Sequence, residues 1–172
     1  MLNKSTIKTV LCAVLASCTT SLDSTHQRAP NGDERELYDI VLQLDAVLFE
    51  QGFNQCNMER IKDVTAAEFE FYHDLAGTNG SKASFVDSLD RSVCDNDYRA
   101  HRRLLPHTMV VFPMYNGDRL YGAIQTATHE FYAIHPDGRE ELTDTARLFT
   151  LWIKTENGWR MQRSFSYDHV SY

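Results

Sequence analysis

TARLFTLWIK (145–154), ENG (156–158) and WRMQRSFSYDH (159–169) make up the stretch whose reading decides the fold. Two long runs rich in β-branched and aromatic residues flank an Asn-Gly pair. Asn-Gly accepts the positive φ of a tight hairpin turn, so the two runs are predicted to pair as antiparallel neighbours. The second run closes on an acid–base pair, Asp168-His169. Two further turn signals lie upstream, Asn116-Gly117 and Pro136-Asp137-Gly138. They divide the chain after Tyr98 into strands near 99–115 (broken near Pro106), 119–134, 140–155 and 159–169. Three tight turns in a row force antiparallel neighbours and so predict a meander, a long and strongly curled sheet.

The residues before this sheet are helical in pattern. Asp33 and Glu36 fit a capping box, and Leu37, Ile40, Val41, Leu44, Val47 and Leu48 follow as one apolar stripe, with Gly52 as a plausible stop. Residues 57–62 suit a short second helix and 66–73 a strand. Gly77–Gly80 turns the chain, and Ser81 caps a third helix carrying Phe85, Val86, Leu89 and Val93. The fold class expected is α+β: a cone-shaped curled antiparallel sheet packed on an N-terminal layer of about three helices. A cone of this kind encloses a cavity.

The first residues read as an address. Lys4 and Lys8 precede a short apolar run, Val10–Ala16, far below the ~20 residues of a membrane-spanning helix. Leu15-Ala16-Ser17-Cys18 resembles the lipobox of bacterial lipoproteins; an ordinary cleaved signal peptide is the plainer reading. The resemblance implies that residues 1–17 are removed and that Cys18 is acylated, giving an exported protein held at the cell envelope by lipid. Thr19 in place of Asp then implies the outer membrane in a cell that has one. Loss of palmitate labelling in Cys18→Ala checks this. Residues 18–32 read as a flexible tether, and 33–172 as one domain.

Removing residues 1–17 takes two lysines and no acid, so the net charge moves from −7 to −9. A chain this acidic with no basic stripe excludes nucleic acid and anionic lipid as partners, leaving the anchor as the membrane contact. The one basic cluster, Arg99, His101, Arg102 and Arg103, reads as a solvated strand end. Cys56 and Cys94 are left once Cys12 is cleaved off and Cys18 acylated. They are candidates for a disulfide in an oxidising compartment, or two separate buried thiols. With no CxxC spacing, thiol redox chemistry and zinc have no support.

The pattern of helix, short helix, strand, helix and meander ending in Phe149-Thr-Leu-Trp152…Gly158-Trp159-Arg160 resembles the nuclear transport factor 2-like superfamily over about 34–169. FYHD (71–74), GAIQ…HEF (122–131) and SYDH (166–169) are similar to a bacterial subgroup of its SnoaL-like branch. The superfamily includes ketosteroid isomerase, scytalone dehydratase, limonene epoxide hydrolase and polyketide cyclases, together with non-catalytic binding and dimerisation modules. The resemblance therefore implies a fold without deciding the function. The tyrosine-plus-two-acids arrangement of ketosteroid isomerase does not map onto this chain. Relatives commonly pair through the outer sheet face, which implies a homodimer. The alternation of Phe149, Leu151 and Ile153 with Trp152 agrees, because it leaves apolar residues on both faces.

Strand alternation sets the candidate residues. His73 and Asp74 are expected on opposite faces, as are Asp168 and His169. Tyr121, Ala123, Gln125, Ala127, His129 and Phe131 share one face; Trp159, Met161, Arg163, Phe165, Tyr167 and His169 share another. A histidine beside a carboxylate in a water-poor cone suits a general base, which singles out His73, His129 and His169 with Asp74 or Asp168. Tyr72, Tyr121, Trp152 and Tyr167 are the candidate ligand contacts. The plainer alternative makes these histidines hydrogen-bonded parts of the sheet rim. No HxH or HxxxH spacing supports a metal, no cofactor is implied, and no elbow motif supports a nucleophilic Ser or Cys. The sequence favours a tethered module binding a small apolar ligand or a partner, because packing alone explains the helical front and the apolar strand faces; the alternative is a lyase, isomerase or hydrolase working through a His/Asp base.

Overall fold

The computed structural model describes residues 32–172. The signal segment, Cys18 and all of the tether but Gly32 lie outside the described residues. Helix α1 (Gly32–Ala46) buries Leu37 and Val41, as its stripe demands. It does not stop at Gly52. It widens into a π-helical stretch, Val47–Phe53, that ends at Asn54. Gly52 has another role: a Cβ there would lie 2.5 Å from Ile61 Cγ1, so glycine lets helix α2 (Met58–Val64) press against the π stretch. Ser81 caps helix α3 (Lys82–Leu89), its side chain accepting from the Ser84 N–H at 3.1 Å. A π-helical turn carries α3 on to Cys94. Cys94 is bonded to Cys56 across a separation of 38 residues, which on the loop-entropy account contributes about 4 kcal/mol.

Seven strands make one curled, unclosed sheet: β1 (Thr65–His73), β2 (Gly77–Asn79), β3 (Arg99–Leu104), β4 (Val110–Asn116), β5 (Arg119–Ile134), β6 (Glu140–Thr155) and β7 (Gly158–Ser171). Their order is β2-β1-β7-β6-β5-β3, with β4 also on β5. The break near Pro106 separates β3 from β4, and the two share β5 end to end. β1 lies parallel to β7, and the other neighbours are antiparallel. In the β6–β7 hairpin Thr155 pairs with Gly158, so Glu156 and Asn157 form the loop and Gly158 takes the positive φ of +96° as the first strand residue. The helices cover one face of the sheet. Between them lies a core of Leu37, Val41, Ile61, Phe69, Phe85, Trp152 and Met161.

β7 departs from simple alternation twice, which corrects the expected face. Trp152 pairs with Met161 but Leu151 with Arg163, so Gln162 is an extra residue and the phase inverts. Met161 faces the core, followed by Ser164 and Ser166; Phe165 turns outward with 37% of its surface exposed. Further on, Arg147 pairs with Tyr167 and Thr145 with Val170, leaving Asp168 and His169 opposite Ala146. Asp168 takes φ +61° there, and the His169 side chain turns back inward with 5% exposed. A left-handed backbone at a non-glycine residue costs about 1–3 kcal/mol.

The basic cluster also needs correction. Arg102 is 0% exposed, because β3 pairs with β5 and points Arg102 at α1 rather than at water.

Candidate functional site

A cavity of about 390 Å³ opens beneath the helices. Phe49 and Phe53 of the π-helical stretch, Phe71 of β1, Phe85 of α3 and Phe131 and Leu148 of the sheet contribute to its largely apolar wall, whose one carboxylate, Asp144, accepts from Ser171 Oγ at 2.7 Å. None of the residues lining it is Lys or Arg, so an anionic ligand would find no counter-charge.

His73, Ser166 and His169 line this cavity, and Asp74 stands behind His169. Asp74 Oδ1 accepts from His169 Nδ1–H at 2.5 Å, and Asp74 Oδ2 accepts from the His169 backbone N–H at 3.2 Å. With Nδ1 donating, neutral His169 presents a lone pair at Nε2, which lies 3.3 Å from Ser166 Oγ. Partial burial pushes the Asp74 carboxyl up, but the backbone N–H and ring of His169 outweigh it and hold the group below the usual carboxylate range. His73 stacks on His169 with ring centres 4.2 Å apart. Its Nδ1 accepts the backbone N–H groups of Leu75 and Ala76, each at 3.1 Å, so the proton of neutral His73 sits on Nε2. The 3.4 Å approach of Asp74 to His73 Nδ1 therefore carries no hydrogen bond, since both atoms accept. Burial and the neighbouring His169 ring lower the His73 pKa and favour its neutral form.

The ligand atoms of His73, Asp74 and His169 lie within 4.8 Å of one another, a spacing that a cation can use. Both Nδ1 atoms and the Asp74 carboxylate are already engaged in hydrogen bonds within the protein.

His129 sits elsewhere on the cavity wall, in a buried polar network. Asp45 accepts from both terminal nitrogens of Arg102, at 2.6 and 3.0 Å, and from Gln125 Nε2 at 2.8 Å. Gln125 Oε1 accepts from the Trp152 indole N–H at 2.8 Å. Arg102 Nε donates to His129 Nδ1 at 3.2 Å, and the guanidinium lies 3.8 Å over the Phe49 ring. Arginine can only donate, so His129 carries its proton on Nε2, an atom with no hydrogen-bond partner. Burial, and then Arg102, push the His129 pKa down to about 2. It is no base near neutrality.

The other sequence candidates lie outside this cluster. Trp152 is 0% exposed and packed in the core. A bulge opposite Tyr115 pairs Leu120 with that residue, and it is Leu120, not Tyr121, that packs on the core. Tyr72 and Tyr167 border a separate shallow hollow with Phe149 and Phe165, and Tyr72 stacks on Phe165 at 4.8 Å. Asp168 is exposed and acts through its backbone. No role for Ser166, Asp45 or Gln125 was legible in the sequence, whose pattern set Arg102 in solvent rather than in this network. Asp45 had a signal: a carboxylate on the apolar stripe between Val41 and Leu48 must be paired if the stripe is buried.

Solved structures share this architecture. Aln2 from a Streptomyces species superposes with a TM-score of 0.66 at 12% identity, over 81% of this chain and 93% of that one. A nuclear transport factor 2-like superfamily protein from Salmonella enterica serovar Typhimurium gives 0.58 at 16%, over 78% and 89%. The fold is nuclear transport factor 2-like. A protein of this fold from Catenulispora acidiphila, in complex with S-DNPA, gives 0.62 at 10% identity, over 77% and 94%. Identities this low show a nuclear transport factor 2-like fold and nothing finer. No protein-family model and no curated protein matches the sequence.

Proposed function

We propose that the cavity takes a small, uncharged, mainly apolar molecule and that His169, oriented by Asp74, moves a proton on it. This makes the domain a general acid–base enzyme of the lyase, isomerase or hydrolase type, held at a membrane by the tether expected at Cys18. The observation that carries the reading is the Asp74–His169 hydrogen bond of 2.5 Å at the wall of an apolar cavity with no lining Lys or Arg.

Each half of the dyad has a physical role. Asp74 fixes the tautomer that leaves Nε2 free to accept, and its negative charge stabilises the imidazolium that results. His73 stacks on His169 without competing for the proton, because its own Nδ1 is occupied. The apolar wall keeps water away, which strengthens each of these interactions. A module that only binds needs no such pairing of carboxylate and imidazole beside its ligand. The complex of the Catenulispora protein with S-DNPA supports the use of this fold for small molecules.

Two probes test the reading: hydrolysis of 4-nitrophenyl butyrate, and deuterium uptake by 2-butanone in D2O. The wild type is expected to accelerate one of them, and His169→Gln to lose that rate by about 10²–10⁴-fold. No rate dependent on His169 with either compound would sink the proposal.

A further inference from the structure

Ser166 and His169 are three residues apart on β7, and regular alternation would set them on opposite faces of the sheet. The bulge at Asp168, with its φ of +61°, puts both on the cavity side. The strained residue thus has a specific result, a Ser166 Oγ to His169 Nε2 distance of 3.3 Å. With Asp74 on the other ring nitrogen at 2.5 Å, the three side chains form an ordered row of hydroxyl, imidazole and carboxylate. Ser166 is 6% exposed, and it sits beside His73 in the β1–β7 register.

We propose that Ser166 is a nucleophile and that the molecule taken into the cavity is an uncharged carboxylic ester with an apolar acyl group. The inference rests on His169 acting as the base and adds that the proton it takes is that of Ser166. As Ser166 Oγ bonds to the ester carbonyl carbon, its proton passes to His169 Nε2 and the carbonyl electron pair moves onto oxygen. When the tetrahedral adduct collapses, the bond from carbon to the alkoxy oxygen breaks. The imidazolium gives its proton to that oxygen, and an alcohol leaves. Water then attacks the acyl group on Ser166 and gives a proton to His169 Nε2. The second collapse releases the carboxylic acid, and His169 returns the proton to Ser166. Asp74 holds the ring throughout and stays ionised.

Three observations narrow the substrate class. The apolar wall suits an acyl chain, and the lack of any Lys or Arg on it disfavours an anion. His73 Nε2–H belongs to the register partner of Ser166, so it is the side-chain donor suited to a developing oxyanion there. An alkoxide needs less help in leaving than an amine, so an ester fits a row whose Ser–His contact is 3.3 Å better than an amide does.

The test is covalent capture on the full-length wild-type chain, with octyl fluorophosphonate as the probe. The Ser166 oxygen bonds to phosphorus, fluoride leaves, and the serine proton departs through His169. Intact mass should show one adduct, and peptide mapping should place it on Ser166. Ser166→Ala should take up none while keeping its melting temperature, and Asp74→Asn should label at least about 100-fold more slowly. An adduct on another residue overturns the proposal. So does an absent adduct alongside hydrolysis of 4-nitrophenyl butyrate that depends on His169, a result that leaves His169 as a base acting on water. If neither the adduct nor any His169-dependent rate is found, both readings fall.

Discussion

At the scale of single residues, chemistry here is divided by which nitrogen each histidine has free. His169 donates from Nδ1 and accepts at Nε2; His73 and His129 accept at Nδ1 and hold their protons on Nε2. His129 gives the clearest consequence for stability. Its pKa in the folded chain is about 2, against about 6.5 for an unfolded histidine. Below pH 6.5 the unfolded chain therefore binds a proton that the folded chain refuses. This contribution to stability is complete above 6.5 and drains away as the pH falls, at up to about 1.4 kcal/mol per pH unit. Between pH 7.5 and 5.5 the wild type is expected to lose about 1.4 kcal/mol more than His129→Gln, read from urea unfolding at both pH values. Equal losses in the two proteins would mean that His129 titrates freely. Arg102 shows why the basic run 99–103 resisted a sequence reading. Nothing local distinguishes it from Arg99 and Arg103, and only Asp45, 57 residues earlier, makes its burial tolerable.

At the scale of elements, irregularities position the site. The π-helical stretch Val47–Phe53 brings Phe49 and Phe53 to the cavity wall, and the second bulge of β7 brings in His169. The strain at Asp168 is open to measurement, because glycine takes a positive φ without steric cost while a β-branched residue resists it. Asp168→Gly is expected to raise stability by about 0.5–1 kcal/mol and to keep the His169 geometry. Asp168→Val is expected to lower stability by about 2 kcal/mol and to cut any His169-dependent rate. Denaturant midpoints and the 4-nitrophenyl butyrate assay read both effects. A Val variant as stable as the wild type would show that the bulge is not under strain. The turns were legible because Asn-Gly and Asp-Gly carry their own backbone preference. The bulges were not, because an extra residue on one strand is defined only by the partner strand's register.

At the scale of the whole molecule, the outer sheet face is unusually apolar for a surface. Val110 and Phe112 on β4 are 43% and 50% exposed on it, and Tyr72 and Phe165 stack in the open on β1 and β7. A second copy of the chain would cover this face. Sedimentation at micromolar concentration is expected to give about twice the chain mass of 19.8 kDa, less whatever processing removes, and Phe165→Glu is expected to shift the equilibrium toward the monomer. A wild-type monomer at that concentration would count against the pairing.

The sequence by itself determined the α+β class, the helical front, the long strands and the hairpins between them. These follow from periodicity and turn chemistry, which act over a few residues. It also marked His73, Asp74 and His169 as acid–base candidates. Only the tertiary structure decided which of them meet. Strand alternation separates His73 from Asp74 and Ser166 from His169 by rule, and the bulge at Asp168 breaks that rule for Ser166 and His169. The parallel pairing of β1 with β7 brings the end of β1, and Asp74 with it, to a histidine 95 residues away. The burial of Arg102 with Asp45, and the inert His129 that follows from it, were decided in the same way. Each is a long-range contact whose partner lies far along the chain, and no local pattern of residue types encodes it.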